Sequence, residues 1–268
     1  MNSFSVFTKP WKMPLPELGK FVKGMGFDGI ELPVRPGYQV EPGDAAKGLP
    51  EAVKVLREQG VKIVDVAAEP DANIIAACGG AGIGLIRNQF KVNKGEGYLA
   101  AEQRLRKEFD ALVPLLDKSG VTIGVQNHSG SYVAPNAIGL RHLVEKYDPH
   151  HVAVVWDAGH EAIMGGEPED ALDEIWDHLK IVNLKNPLYK PANDLKAAME
   201  KNPKTGHQLW KKTWVGGREG FADWQRVANE LKHRNYPGPV CLTAEYSEEK
   251  AVERLIKEDI AYAKALFA

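Results

Sequence analysis

Four oxygen-bearing residues stand at the ends of four apolar segments in the second half of the chain. Gln126 follows Thr122-Ile123-Gly124-Val125, Asp157 follows Val152-Ala153-Val154-Val155-Trp156, Asn183 sits within Ile181–Lys185, and Glu245 follows Val240-Cys241-Leu242-Thr243-Ala244. Carboxylate and amide oxygens are the donors that a hard divalent cation takes. Carboxylates also move protons on carbon next to a carbonyl. Two histidines, His128 and His160, and one ammonium, Lys185, lie beside these positions. Taken singly, an Asp or Asn after an apolar strand is as often a helix cap or a turn residue. Four of them at matched positions point to one shared cavity.

Such a cavity requires those segments to lie side by side. Short β-branched runs alternate with longer amphipathic stretches, the pattern of βα units around a parallel sheet. The expected strands are Ser3–Phe7, Gly29–Pro33, Lys62–Ala67, Gly82–Asn88, Thr122–Asn127, Val152–Asp157, Ile181–Lys185 and Val240–Glu245. Leu105, Phe109, Leu112, Val113 and Leu116 recur at helical spacing, with Pro114 expected to bend that helix, and Val252, Leu255, Ile256 and Ile260 do the same in the last one. The helix after the third strand is short, and Cys78-Gly79-Gly80 is a poor helical end. The 268 residues are close to the roughly 250 of one barrel. The expected fold is therefore α/β, a single (β/α)8 TIM barrel forming one domain over residues 1–268. An open doubly wound sheet would show the same alternation with fewer strands. Its dinucleotide-binding form would want a glycine fingerprint where this chain has Thr8-Lys9-Pro10-Trp11. In a parallel barrel the C-terminal strand ends converge on one mouth, which is where the four oxygen donors fall.

Composition narrows the partners. A net charge of −2 with 26% charged residues gives no bulk basic surface for nucleic acid. No run approaches the roughly 20 apolar residues that span a bilayer, and the opening residues lack a basic and apolar leader pattern, so no membrane is expected and a cytoplasmic location is. Cys78 and Cys241 are too few and too far apart for a disulfide framework or a thiolate metal site.

The strand ends resemble the xylose-isomerase-like superfamily of sugar and sugar-phosphate isomerases and epimerases. Asp157-Ala158-Gly159-His160 matches its Asp-x-x-His segment, Glu245 its last-strand Glu, and Gln126-Asn127-His128 stands where it has Glu-Asn-His. Asn183-Leu184-Lys185-Asn186 stands for its His-x-Lys-Asp, and Phe27-Asp28-Gly29-Ile30-Glu31 matches a common second-strand pattern. The resemblance implies a divalent metal, Mn2+ or Mg2+, on Gln126, Asp157, Asn183 and Glu245. Two of those four are amides here, so the set carries two negative charges where the family has about three, and affinity for the metal should fall.

The chemistry expected is sugar isomerisation or epimerisation, with a carbohydrate as the small-molecule partner and association into a homo-oligomer left open. Glu245 is the base or a ligand, His160 and Lys185 complete the catalytic set, and Gln126, His128, Asn183, Arg218 and Glu31 bind substrate. Lys185 supplies positive charge if no metal does. Gln126 cannot exchange protons at neutral pH, which leaves room for a one-base lyase acting on a keto sugar, or for a catalytically silent sugar-binding subunit. Lys9, Arg35, Glu69 and Arg87 follow other strands and are placed to line the first half of the mouth. Residues 187–218, with Lys190, Lys196, Lys201, Lys204, Lys211 and Lys212 among Tyr189, Trp210 and Trp214, have the length of a lid or of a solvated loop.

Overall fold

A computed structural model describes residues 2–191 and 210–268. Eight parallel strands close into a barrel: β1 (Phe4–Phe7), β2 (Gly29–Pro33), β3 (Lys62–Ala67), β4 (Leu85–Asn88), β5 (Thr122–Gln126), β6 (Val152–Asp157), β7 (Leu179–Leu184) and β10 (Val240–Leu242). Each pairs with its neighbours in sequence, and β10 returns to β1 through Phe4, Ser5 and Val6 opposite Val240, Cys241 and Leu242. The helices are α1 (Leu15–Gly24), α2 (Ala45–Glu58), α3 (Ala72–Ala81), α4 (Tyr98–Ser119), α5 (Ala137–Val144), α6 (Ala158–Ile163), α7 (Pro168–Ile175), α8 (Trp224–His233) and α9 (Val252–Phe267). Among the described residues, no helix is long and apolar enough to cross a membrane.

Strand side chains alternate between two faces, and the two faces meet different partners. Outward, Val6, Ile30, Val66, Ile86, Ile123, Val154 and Val182 pack with Leu49, Leu105, Leu140 and Ile256 of the helices in the main core. Inward, Phe7, Ala67, Leu85, Val155, Ile181 and Cys241 form a small apolar plug. One step further along the strands, the inward positions become polar: Glu31, Arg87, Gln126, Asp157 and Asn183 are all buried. The period of two thus builds the floor of a site directly above an apolar plug.

Local chemistry moved several element ends. Asp71 caps α3 through Ile74 N at 2.8 Å, and its apolar face carries the helix through Gly79 and Gly80 to Gly82, whose φ of +71° ends it. β4 therefore starts at Leu85 rather than Gly82. α4 runs unbroken through Pro114. β10 stops at Leu242, because Ala244 adopts a φ of +51°, so Glu245 stands on the turn beyond the strand. Residues 186–191 (β8, Asn186–Pro191) pair antiparallel with β9 (Trp210–Val215), forming a ribbon over the mouth rather than an open loop. Lys196, Lys201 and Lys204 lie outside the described residues.

Candidate active site

A cavity of about 310 Å³ opens at the C-terminal mouth. Gln126, His128, His160, Asn183, Lys185 and Glu245 line it from the second half of the barrel, Lys9, Arg35, Arg87 and Gln89 from the first, and Lys212 and Trp214 from the ribbon. The ribbon is tied down by Trp214 N donating to Ser247 Oγ at 2.8 Å and Ser247 N donating to Trp214 O at 2.9 Å. Lys185 is the single residue between β7 and β8, so one short segment joins the barrel strand to the ribbon.

Glu245 is the carboxylate that faces this space. Lys185 Nζ donates to its Oε2 at 2.8 Å and Lys9 Nζ to its Oε1 at 2.5 Å. Burial pushes the carboxyl up, but Lys185 and Lys9 more than reverse that and hold it at about 2. It is therefore ionised throughout the physiological range. Lys185 Nζ also lies 4.0 Å from the centre of the Trp214 ring, an arrangement that fixes the ammonium over a hydrophobic face.

Asp157 sits below, fully buried. Its Oδ2 accepts from Gln126 Nε2 at 2.9 Å and its Oδ1 caps α6 by accepting from His160 N at 2.9 Å. Asn127 locks the two strand ends together, accepting from Asp157 N at 2.7 Å and donating to Asp157 O at 3.1 Å. Gly159 is required between them, because a Cβ there would meet the Lys185 carbonyl oxygen at 2.6 Å. Burial raises the Asp157 carboxyl from 3.8 to about 6, against the pull of Lys185. The folded chain then holds this proton more tightly than the unfolded chain, so stability falls as pH rises between those two values and stays lower above them. Asp157→Asn removes that dependence. Its stability advantage over the parent should widen from pH 4 to pH 6 and level off near about 3 kcal/mol, measured by urea denaturation across that range.

The two histidines are neutral and hold opposite protons. His128 Nδ1 faces the Ser129 carbonyl at 2.8 Å, which can only accept, so Nδ1 carries the proton and Nε2 keeps a lone pair. His160 Nδ1 accepts from Ser129 N at 3.2 Å and faces Ser129 Oγ at 3.0 Å, so its proton is on Nε2. Burial, then Lys185 and Lys212, lower His128 to about 4, and burial followed by Lys185 pushes His160 below its ordinary value as well. The ring centres lie 3.9 Å apart with the planes tilted by 33°, and Trp214 is edge-on to His160 at 4.9 Å.

Other expected site residues fall elsewhere. Glu31 lies beneath the cavity in a buried ion pair with Arg87, which withdraws it from substrate. Arg87→Met would strand that carboxylate and is expected to cost about 3–5 kcal/mol, most of it restored by adding Glu31→Gln, as unfolding curves of the single and double variants would show. Arg218 does not reach the cavity; its guanidinium carbon lies 3.8 Å from the centre of the Tyr262 ring. Glu69 lines a neighbouring groove instead. Sequence reasoning passed over Ser129, which sets the His160 tautomer, and Gln89 and Thr243, which line the mouth. Gln89 and Thr243 stand at or just past strand ends, a position that could have flagged them; Ser129 carried no such signal.

The expected Mn2+ or Mg2+ on Gln126, Asp157, Asn183 and Glu245 does not fit this donor set. Both Asp157 oxygens are engaged, Glu245 lies between two ammoniums, and among the described residues no group of three or more His, Cys, Asp or Glu side chains could hold a metal. Lys185 lines the same cavity with its ammonium on Glu245, and Lys9 and Lys212 add repulsion toward a second cation. Within the expected donor set, three buried atoms are left without partners: Gln126 Oε1 and both polar atoms of Asn183. A metal could use the Asn183 oxygen but would leave its N–H groups unmet, whereas a sugar hydroxyl both donates and accepts.

A closed parallel barrel whose polar side chains converge on the C-terminal mouth places the molecule among the (β/α)8 proteins. The family described as xylose isomerase-like TIM barrel matches residues 57–266, and the chain belongs to that family. Three solved structures show the same fold across the whole chain. A D-psicose 3-epimerase determined in the presence of D-fructose has a TM-score of 0.71 at 12% identity, covering 100% of this chain and 99% of that one. The 3-keto-D-glucoside 4-epimerase of E. coli has 0.71 at 12%, covering 99% and 100%. A probable 3-DHS dehydratase of Bacillus anthracis has 0.71 at 12%, covering 98% of each. No curated protein gives a significant match.

Proposed function

We propose that the chain is a sugar isomerase that moves a proton between the two carbons of an α-hydroxy carbonyl, using Glu245 as its base and the Lys185 ammonium in place of a metal. The observation that carries this reading is the Lys9–Glu245–Lys185 triad in a cavity floored by unpartnered amides. The substrate carbonyl oxygen accepts from Lys185 and from His160 Nε2–H. Glu245 takes the proton from the adjacent carbon, and the electron pair moves onto that oxygen as an enediolate. A fixed ammonium and a neutral imidazole donor stabilise the charge as it develops. The hydroxyl proton passes to the former carbonyl oxygen, and Glu245 returns its proton to the neighbouring carbon on the same face.

One carboxylate suffices for that transfer. Epimerisation needs a second proton donor on the opposite face, and Gln126, which lines the same cavity, cannot exchange protons. The same single carboxylate would also serve elimination of a hydroxyl next to a ketone, which is the second reading. Incubating aldoses and ketoses with chelator-treated protein in D2O and following the carbon-bound protons by NMR separates them. Isomerisation predicts interconversion with deuterium at one carbon, elimination predicts an unsaturated product, and a silent sugar-binding subunit predicts neither. The last two results would each contradict the isomerase reading.

A further inference from the structure

Among the described residues, the cavity lining holds more positive than negative charge. Lys9, Arg35, Arg87, Lys185 and Lys212 line it, whereas Glu245 is the one carboxylate in that lining. Glu31, Asp65 and Asp157 lie buried in the barrel beneath, and burial raises the Asp65 carboxyl well above its ordinary value. Glu31 is taken by Arg87, and Glu245 is shared between Lys9 and Lys185. His128 and His160, being neutral, add no charge. Arg35 and Lys212 then remain as cations with no carboxylate partner among the described residues, since every ion pair at the mouth involves other groups.

Both are held beside like charge. Lys212 Nζ lies 4.9 Å from the centre of the Trp214 ring, and Lys185 Nζ lies 4.0 Å from the same ring. Arg35 and Arg87 share Phe7 in the same way, with guanidinium carbons 5.8 Å and 4.6 Å from its centre. Burial, and then Lys185, lowers the Lys212 ammonium from its usual value, which is the direction expected when a cation waits in a half-dry place beside another. Repulsion between like charges grows as water is excluded. A cleft lined by one sign concentrates ligands of the other.

We infer that the carbohydrate bound in this cavity carries an anionic group, a carboxylate or a phosphate, and that Lys212 and Arg35 receive it. A cavity of about 310 Å³ keeps both cations within reach of one monosaccharide whose carbonyl end faces Lys185 and Glu245. The inference rests on reading this cavity as a sugar site.

The test is isothermal titration of the full chain with stereochemically matched sets of hexose, uronate and hexose 6-phosphate, on the parent, Lys212→Gln and Arg35→Gln. In the parent, one anionic series should bind at least ~30-fold more tightly than its neutral sugars, and each substitution should cut that preference ~10-fold while moving neutral-sugar affinity by less than ~3-fold. Added salt should erode the preference as well. Tighter uronates assign a carboxylate, and tighter 6-phosphates assign a phosphate. Equal or tighter binding of neutral sugars, a preference unchanged in both variants, or no binding of any anionic sugar would overturn the inference. Anionic sugars that bind tightly without proton exchange would leave this inference standing and remove the isomerase reading; proton exchange on neutral sugars alone would do the reverse.

Discussion

Glu245→Gln is expected to lower kcat by at least ~10³-fold, equivalent to about 4 kcal/mol of transition-state stabilisation, while the fold and sugar binding persist. The amide keeps the shape of the side chain but cannot take a proton, and among the described residues no other carboxylate lines the cavity to replace it. Asp157 is buried below with both oxygens occupied, Glu31 is held by Arg87, and Gln126 is itself an amide. Stability should fall but not collapse: the variant loses the ion pairs with Lys185 and Lys9 that hold the carboxyl at about 2, although a quarter of the side chain is exposed at the mouth. Steady-state kinetics, calorimetric sugar binding and a thermal melt of the same preparation read the three quantities separately. A variant that keeps a tenth or more of the parent rate would remove Glu245 from the base position.

Lys185→Met should cost ~10²- to 10³-fold in kcat, the range seen when a fixed donor to a developing oxyanion is removed. It should also change the pH profile in a way that a merely structural loss would not. Lys185 is the main group that holds the Glu245 carboxyl down at about 2 against burial. Without it the carboxyl rises, and the acid limb of the rate profile moves to higher pH. The sign follows directly, since a base must be ionised to act and a higher pKa delays ionisation as pH increases. Methionine preserves the packing on Trp214, so folding defects are not the expected cause. Retention of the parent acid limb would show that Lys185 does not set the charge of Glu245.

Much of the barrel was legible because β-branched runs and amphipathic stretches report burial on two faces and on one. The limits of β2, β3 and β6 read from sequence coincide with those in the structure. The polar floor was legible for the same reason, since Gln126, Asp157 and Asn183 sit at inward positions just past the apolar plug. The roles were less so. A strand-end carboxylate looks the same in sequence whether it faces a ligand or supports a neighbour, and Asp157 does the latter by capping α6 and holding Gln126. Glu31 was read as a substrate contact because its buried partner, Arg87, is 56 residues away. Arg218 follows a glycine turn near the mouth, yet the turn delivers it to Tyr262. The cationic character of the cavity was the least visible feature. Lys9, Arg35, Lys185 and Lys212 come from four separate segments, and only the closed barrel with its ribbon gathers them.

The same gathering explains the departure from the expected metal centre. Gln126, where the expected donor set would have a carboxylate, brings no negative charge, and Glu245 is already paired with Lys185 and Lys9. Titrating Mn2+ into chelator-treated protein, with the protein in excess and free ion followed by electron paramagnetic resonance, tests this directly. The account predicts that the free-ion signal tracks the added Mn2+ with no stoichiometric site. One tightly held Mn2+ per chain, lost in Glu245→Gln, would contradict it.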